Sequence, residues 1–150
     1  MGGGDNVFVE KLTTNGQLVW VYGMTGTGGY TGGLALAVDS SGSVYVMGSF
    51  TSTLTINSAS GKTSLTSQGG TDAFALKLDT NGKFVSDADL GGTYNDAGFG
   101  IAWDPFTGTV YAVGDFAGTA SFGSWTLSTA GGVDIYNSQQ QDLFIAELTM

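Results

Sequence analysis

A long stretch of this chain returns further along at a nearly constant offset, with Leu12 recurring as Leu78 and Phe50 as Phe116, and that recurrence limits the possible folds more than any other feature. Val7-Phe8-Val9-Glu10-Lys11-Leu12-Thr13-Thr14-Asn15-Gly16 aligns with Ala73-Phe74-Ala75-Leu76-Lys77-Leu78-Asp79-Thr80-Asn81-Gly82. Leu36-Ala37-Val38-Asp39 followed by Val44-Tyr45-Val46-Met47-Gly48-Ser49-Phe50 returns as Ile101-Ala102-Trp103-Asp104 followed by Val110-Tyr111-Ala112-Val113-Gly114-Asp115-Phe116. A third copy of the first segment closes the chain as Asp142-Leu143-Phe144-Ile145-Ala146-Glu147-Leu148. Repeats of this kind are single supersecondary units that bury their apolar faces on one another.

Each segment alternates with the two-residue period of a strand, and the gaps carry turn chemistry. Asn15-Gly16 and Asn81-Gly82 are hairpin signals, because both residue types accept positive φ. Asp39, Asp79 and Asp104 open turns, where a carboxylate accepts hydrogen bonds from its own following backbone. The 26 Gly against one Pro fit many short strands joined tightly. With four strands per unit labelled A to D, strand A spans 34–38 and 100–103, and strand B spans 44–50 and 110–116. Strand C spans 8–12, 74–78 and 144–148, and strand D spans 17–22 and 83–90. Four antiparallel strands in meander order form one blade of a β-propeller, so the expected class is all-β with propeller blades.

The pattern Gly-x-Ala-Val-Asp-x-x-Gly-x-Val-Tyr-Val-x-Gly over residues 33–48, then Asp-x-Phe-x-x-Lys-Leu-Asp-x-x-Gly over 72–82, resembles the bacterial β-propeller repeat abbreviated SBBP. Phe122-Gly123 with Thr126-Leu127 resembles the elements that the family places between strands B and C. Glu147 in place of the usual Lys, and Thr31 where the second copy has Asp96, depart from it. The resemblance implies the fold and carries over no catalytic residue. It also implies a secreted or cell-surface bacterial parent protein, of which this chain reads as a fragment or an engineered portion.

In order, the strands give C-D over 5–24, a complete blade over 33–90, and A-B-C over 98–150. Two blades per chain are too few to close a propeller, and each end leaves an apolar face bare. The expectation is a homo-oligomer whose copies complete a ring head to tail. Strand C is supplied once too often, so either 7–12 or 144–148 is displaced, swapped or added at an edge.

Composition narrows the chemistry. Four Lys, no Arg and 13 acidic residues give a net charge of −9, which excludes a nucleic-acid binder that works by neutralising phosphates. Without His or Cys there is no Cys/His zinc site, Ser-His-Asp triad or thiol nucleophile. No cofactor is expected, and no apolar run is long enough to span a membrane as a helix. Asp87 and Asp89 project to one face of strand D, where they act as edge-protecting charges, a cation site, or the acid/base pair of a glycoside hydrolase or lyase. The edge role is the favoured one. The aromatics Trp20, Tyr30, Tyr94, Trp125 and Tyr136 fall at strand ends or in long connections, where rings pack or else stack on a glycan or a protein partner. Phe8, Phe74, Phe144, Tyr45, Tyr111, Phe50 and Phe116 recur at equivalent positions and read as core between blades. The expected function is non-catalytic: a self-assembling scaffold or recognition module, with an aspartate-dependent enzyme and a purely structural repeat as alternatives.

Overall fold

The structure, a computed structural model, describes residues 4–59, 61–129 and 140–150. They are all-β and antiparallel. Eleven strands follow in order among the described residues: β1 Asn6–Leu12, β2 Leu18–Gly26, β3 Thr31–Val38, β4 Val44–Ser58, β5 Gly61–Leu78, β6 Phe84–Gly92, β7 Ala97–Trp103, β8 Val110–Ala117, β9 Thr119–Phe122, β10 Trp125–Ser128 and β11 Gln141–Leu148. The strand assignments made from alternation all fall on observed strands.

Three units stack. The first is the hairpin β1-β2; the second is the meander β3-β4-β5-β6; the third is β7-β8-β11, with β11 added beside β8. Alternation decides which side chains lie between them. In the middle unit Phe50, Phe74, Leu76 and Leu78 share one face and pack against Val7, Val9, Tyr22 and Met24 of the first unit. Met47, Ala73 and Ala75 share the opposite face and pack against Ala112, Phe116 and Phe144 of the third.

The units are also laced by backbone. The tip of β2 pairs with an outer extension of β4 as Met24↔Ile56, Thr25↔Thr55 and Gly26↔Leu54. The tip of β6 pairs with β9 as Leu90↔Phe122, Gly91↔Ser121 and Gly92↔Ala120, the same ladder in the next copy of the repeat. These extensions are extra hairpins built into the two long connections, or insertions, between strands B and C. In the first insertion they run continuously with β4 and β5 after an irregularity at Thr51–Thr53, where Ser52 takes a positive φ of 60°. In the second they form the separate hairpin β9-β10.

Two of the recurring aromatics correct the expectation of a uniform core. Phe74 and Phe144 are 0% and 2% exposed, whereas Phe8 is 68% exposed and Tyr111 is also exposed. The physical reason is position in the stack: Phe8 lies on the outer face of the first unit and Tyr111 on the outer face of the third, with no sheet against either. Both copies of strand C find a place in the single chain, as the edge strands β1 and β11.

A phenyl-over-glycine pair recurs inside the sheets. Phe74 lies opposite Gly48 and Phe144 opposite Gly114, and each ring covers its glycine so closely that a methyl there would sit 2.7 Å and 2.5 Å from ring carbons. Facing backbone closes the other side more tightly still, through the Gly32 carbonyl in the first pair and the Ala97 carbonyl in the second. Overpacking of this kind costs about 1–3 kcal/mol. Gly48→Ala is therefore expected to lower unfolding free energy by about that much or more, read by urea denaturation. Gly23→Ala, where nothing lies within 4 Å, should change it by far less.

Candidate self-association surface and the aspartate seam

The uncovered ends of the stack form one candidate surface in two complementary parts. At the leading end β1 and β2 expose Phe8, Leu12 and Val21. Their pairings, Phe8↔Gly23, Glu10↔Val21 and Leu12↔Leu18, put these side chains on the face turned away from the middle unit. Beside them, among the described residues, no strand pairs with the edge of β1 opposite β2, and a groove of about 400 Å³ separates it from β3. Val7, Val9, Leu36 and Val46 line it. Leu36 and Val38 stay exposed here because the first unit supplies only two strands and cannot cover the whole face of the four-stranded middle unit.

At the trailing end Leu143 and Ile145 of β11 are each 70% exposed, and Tyr111 of β8 stands on the same face through the pairs Leu143↔Asp115, Ile145↔Val113 and Glu147↔Tyr111. Among the described residues no strand pairs with the side of β11 away from β8 either. Apolar faces of this kind mark association sites.

The aromatic candidates separate by position. Trp20 lies within β2, packs against the first core cluster and donates Nε1–H to the Thr80 carbonyl at 3.2 Å, so its role is packing. Tyr30 and Tyr94 occupy the equivalent β2–β3 and β6–β7 connections and are both exposed. Trp125 opens β10 and is 76% exposed. Tyr136 lies outside the described residues. The structure does not bring Tyr30, Tyr94 and Trp125 together around one groove: the grooves lined by Val7, Trp20 or Phe8 contain none of the three.

Asp87 and Asp89 correct the picture of solvated edge charges. Their partners in β5 are Leu76 and Phe74, so both carboxylates turn toward the seam between the first and middle units. Burial raises the Asp87 pKa. Burial pushes Asp89 up to about 7, with the negative charges of Asp72, Asp87 and Asp96 adding to it, and its Oδ1 has no hydrogen-bond partner. Burial, with a smaller contribution from the Asp87 charge, raises Tyr22 to about 12, and the Tyr22 hydroxyl donates to the Asn57 carbonyl.

Two further buried acids continue the seam, and sequence reading missed them as a group. Asp72 accepts hydrogen bonds from Gln68 N–H at 2.9 Å and the Ser67 hydroxyl at 3.2 Å, yet burial still raises its pKa. Asp96 accepts from Gly92 N–H at 2.7 Å and Ala117 N–H at 3.0 Å, which pins the middle unit to the third. Burial raises Asp96 to about 6 despite those bonds. Among the described residues no three His, Cys, Asp or Glu side chains are placed to hold a metal ion. The turn acids go the other way. Hydrogen bonds from Ser41, Ser43 and Tyr45 outweigh burial and hold Asp39 at about 2, while the Lys83 backbone N–H lowers Asp79 and the Thr107 hydroxyl, with the Phe106 N–H, lowers Asp104.

No family model matches the chain, and no curated protein matches it significantly.

These shifts set a pH profile. Asp89 and Asp96 hold protons more tightly when folded than an ordinary Asp near 3.8, so between pH 4 and 7 unfolding releases protons and stability falls as pH rises. Asp39 contributes in the opposite sense, its stabilisation being lost as pH falls from 4 toward 2. The melting temperature of the chain is expected to peak near pH 4–5. Asp89→Asn, which removes the charge without changing the shape, should flatten the fall from pH 5 to 7.5 and raise the melting temperature at pH 7.5. A stability that instead climbs through that window would contradict the assignment.

Proposed function

We propose that this chain is a β-propeller segment whose function is self-assembly: copies associate head to tail into a closed ring that serves as a non-catalytic scaffold. The middle unit is a complete blade in this reading, and the end units are parts of a blade that two chains finish together. One observation carries it. Both ends of the stack expose the same kinds of faces that are buried at the two internal seams, and both terminal strands keep one edge without a partner.

Internal pairing provides the template. Met47 presses its methyl carbon toward Gly98 and packs with Ile101, which joins strand B of the middle unit to strand A of the third. The equivalent of Met47 is Val113, and the equivalents of Gly98 and Ile101 are Gly33 and Leu36. Gly33 and Leu36 line the open groove beside β1. A second copy presenting Val113 to that groove repeats the contact that the chain already makes with itself. Each large side chain covered contributes about 1.5–3 kcal/mol before the cost of association is subtracted.

The aspartates support a scaffold rather than a hydrolase, because they are spent on the seams and the grooves along β1 contain no Asp in their walls. Tyr30 and Tyr94, exposed at equivalent connections of successive units, favour a second role on the assembled ring, in which one ring face presents repeated aromatics to a glycan or protein.

Light scattering of the purified chain should give a mass that is a whole multiple of 15.3 kDa. Leu36→Glu, on a side chain that the single chain leaves exposed, should return it to 15.3 kDa with its circular dichroism unchanged. A wild-type chain that stays at 15.3 kDa at all accessible concentrations would defeat the proposal.

A further inference from the structure

We propose that β11 is a placeholder: in the assembled protein, β1 of a second copy replaces it beside β8, with Phe8 entering the Gly114 socket that Phe144 fills in the single chain. This rests on the ring reading above and adds which strands exchange.

The counting is the first argument. The chain has three equivalent phenylalanines, Phe8, Phe74 and Phe144, but two phenyl-covered glycines opposite them, Gly48 and Gly114. Phe8 is the one left in solvent. In a closed ring a single strand C fits between β8 of one copy and β2 of the next, because β2 is already fixed to its own middle unit through Met24↔Ile56 and the two pairs beside it. One of the two candidates must leave.

Chemistry across the register favours β1. The middle unit pairs Lys77 with Tyr45 and holds the Lys77 ammonium 5.1 Å from the centre of the Tyr45 ring. The equivalent tyrosine in β8 is Tyr111, and β11 sets Glu147 opposite it, an anion at the position where the middle unit has its cation. Transferring the repeat register to β1 gives Phe8↔Gly114, Val9↔Val113, Glu10↔Ala112, Lys11↔Tyr111 and Leu12↔Val110. Lys11 then restores the cation–π pair that Glu147 cannot make. Glu10 turns to the face that meets Ala75 and Lys77 of the copy supplying β8, which brings together charges of opposite sign.

Connection is the third argument. β1 is joined to β2 by the tight Thr13–Gln17 turn, closed by Thr13 N–H to Gln17 O at 2.8 Å and Gly16 N–H to Thr13 O at 2.9 Å, so the two strands arrive at a partner as a preformed hairpin. Among the described residues β11 is attached to β8 alone by strand pairing, and no strand pairs with its far edge. With β1-β2 of one copy completing β7-β8 of another, every chain contributes two full four-stranded blades.

The absence of native cysteine makes the exchange testable by introduced thiols. Directly opposed residues of antiparallel strands lie about 4.5–5.5 Å apart at Cα, within the reach of a disulfide. A Val9→Cys chain mixed with a Val113→Cys chain and oxidised should give a covalent heterodimer. A single chain carrying Asp115→Cys with Leu143→Cys, which face each other in the β8–β11 pair, should lock β11 in place on oxidation. It should then run at 15.3 kDa and recover its assembled mass on reduction. As a check free of engineered bonds, Phe8→Ser should abolish assembly and Phe144→Ser should leave it intact. A locked chain that still assembles, no Val9–Val113 cross-link, or assembly lost with Phe144→Ser and kept with Phe8→Ser would each overturn the exchange while leaving the ring standing. A wild-type chain that never assembles would overturn both.

Discussion

A β-sheet apolar on both faces has to be sandwiched, and this chain contains one that is. The middle unit presents Phe50, Phe74 and Leu76 on one side and Met47, Ala73 and Ala75 on the other, all fully buried. Neither neighbouring unit satisfies the same condition on its outer side. Every notable property of the surface, from exposed Phe8 to exposed Ile145, follows from extending that condition to units that have only one neighbour. The asymmetry of the two internal faces matters as well. Rings of the third unit meet Ala73 and Ala75 of the middle one, and rings of the middle unit meet Val7 and Val9, the equivalents of those alanines, in the first, which gives the stack a direction and makes a head-to-tail contact its natural continuation.

Much of this was legible in the residues. Alternation located the strands, Asn15-Gly16 and Asn81-Gly82 located the hairpins, and Asp39 and Asp104 located turns that the structure closes through Asp39 Oδ1 on Ser41 N–H at 2.9 Å and Asp104 Oδ1 on Phe106 N–H at 2.9 Å. What escaped was relational. Phe8 and Phe74 occupy the same place in their repeats, and only the presence or absence of a neighbouring sheet separates a buried ring from an exposed one. Asp87 and Asp89 illustrate the same limit. A strand at the rim of a unit suggests solvated charge, but the face they occupy is set by register against Leu76 and Phe74, and that face is closed by another unit. The grouping of Asp72, Asp89 and Asp96 depends on three segments meeting, and no spacing within one strand announces it.

In the exchange we propose, a strand held by its own chain has the higher effective concentration, so β11 would beat an incoming β1 in dilute solution even where β1 makes better side-chain contacts. Assembly on this view is a competition between a tethered strand with a mismatched Glu147 and an untethered one with a matched Lys11. Concentration decides the outcome, and the mismatch is what allows the exchange to occur at all.

The two internal junctions show which part of the design the fold cannot vary. Their backbone ladders are the same, Met24↔Ile56 through Gly26↔Leu54 and Leu90↔Phe122 through Gly92↔Ala120. Their side-chain pins differ. At the second junction Asp96 bridges Gly92 N–H and Ala117 N–H, while its counterpart Thr31 is buried with a hydroxyl that has no partner. The first junction is tied elsewhere, by the Tyr22 hydroxyl on the Asn57 carbonyl and by Asn57 Nδ2 on Gly23 O at 3.0 Å. A ladder of backbone bonds recurs without change because any residue can supply it, whereas a pin needs one side chain at one place and two different solutions serve equally. The seam proposed between chains would need only to reproduce the sheet geometry and the apolar match, with the pins that finish it free to be different again.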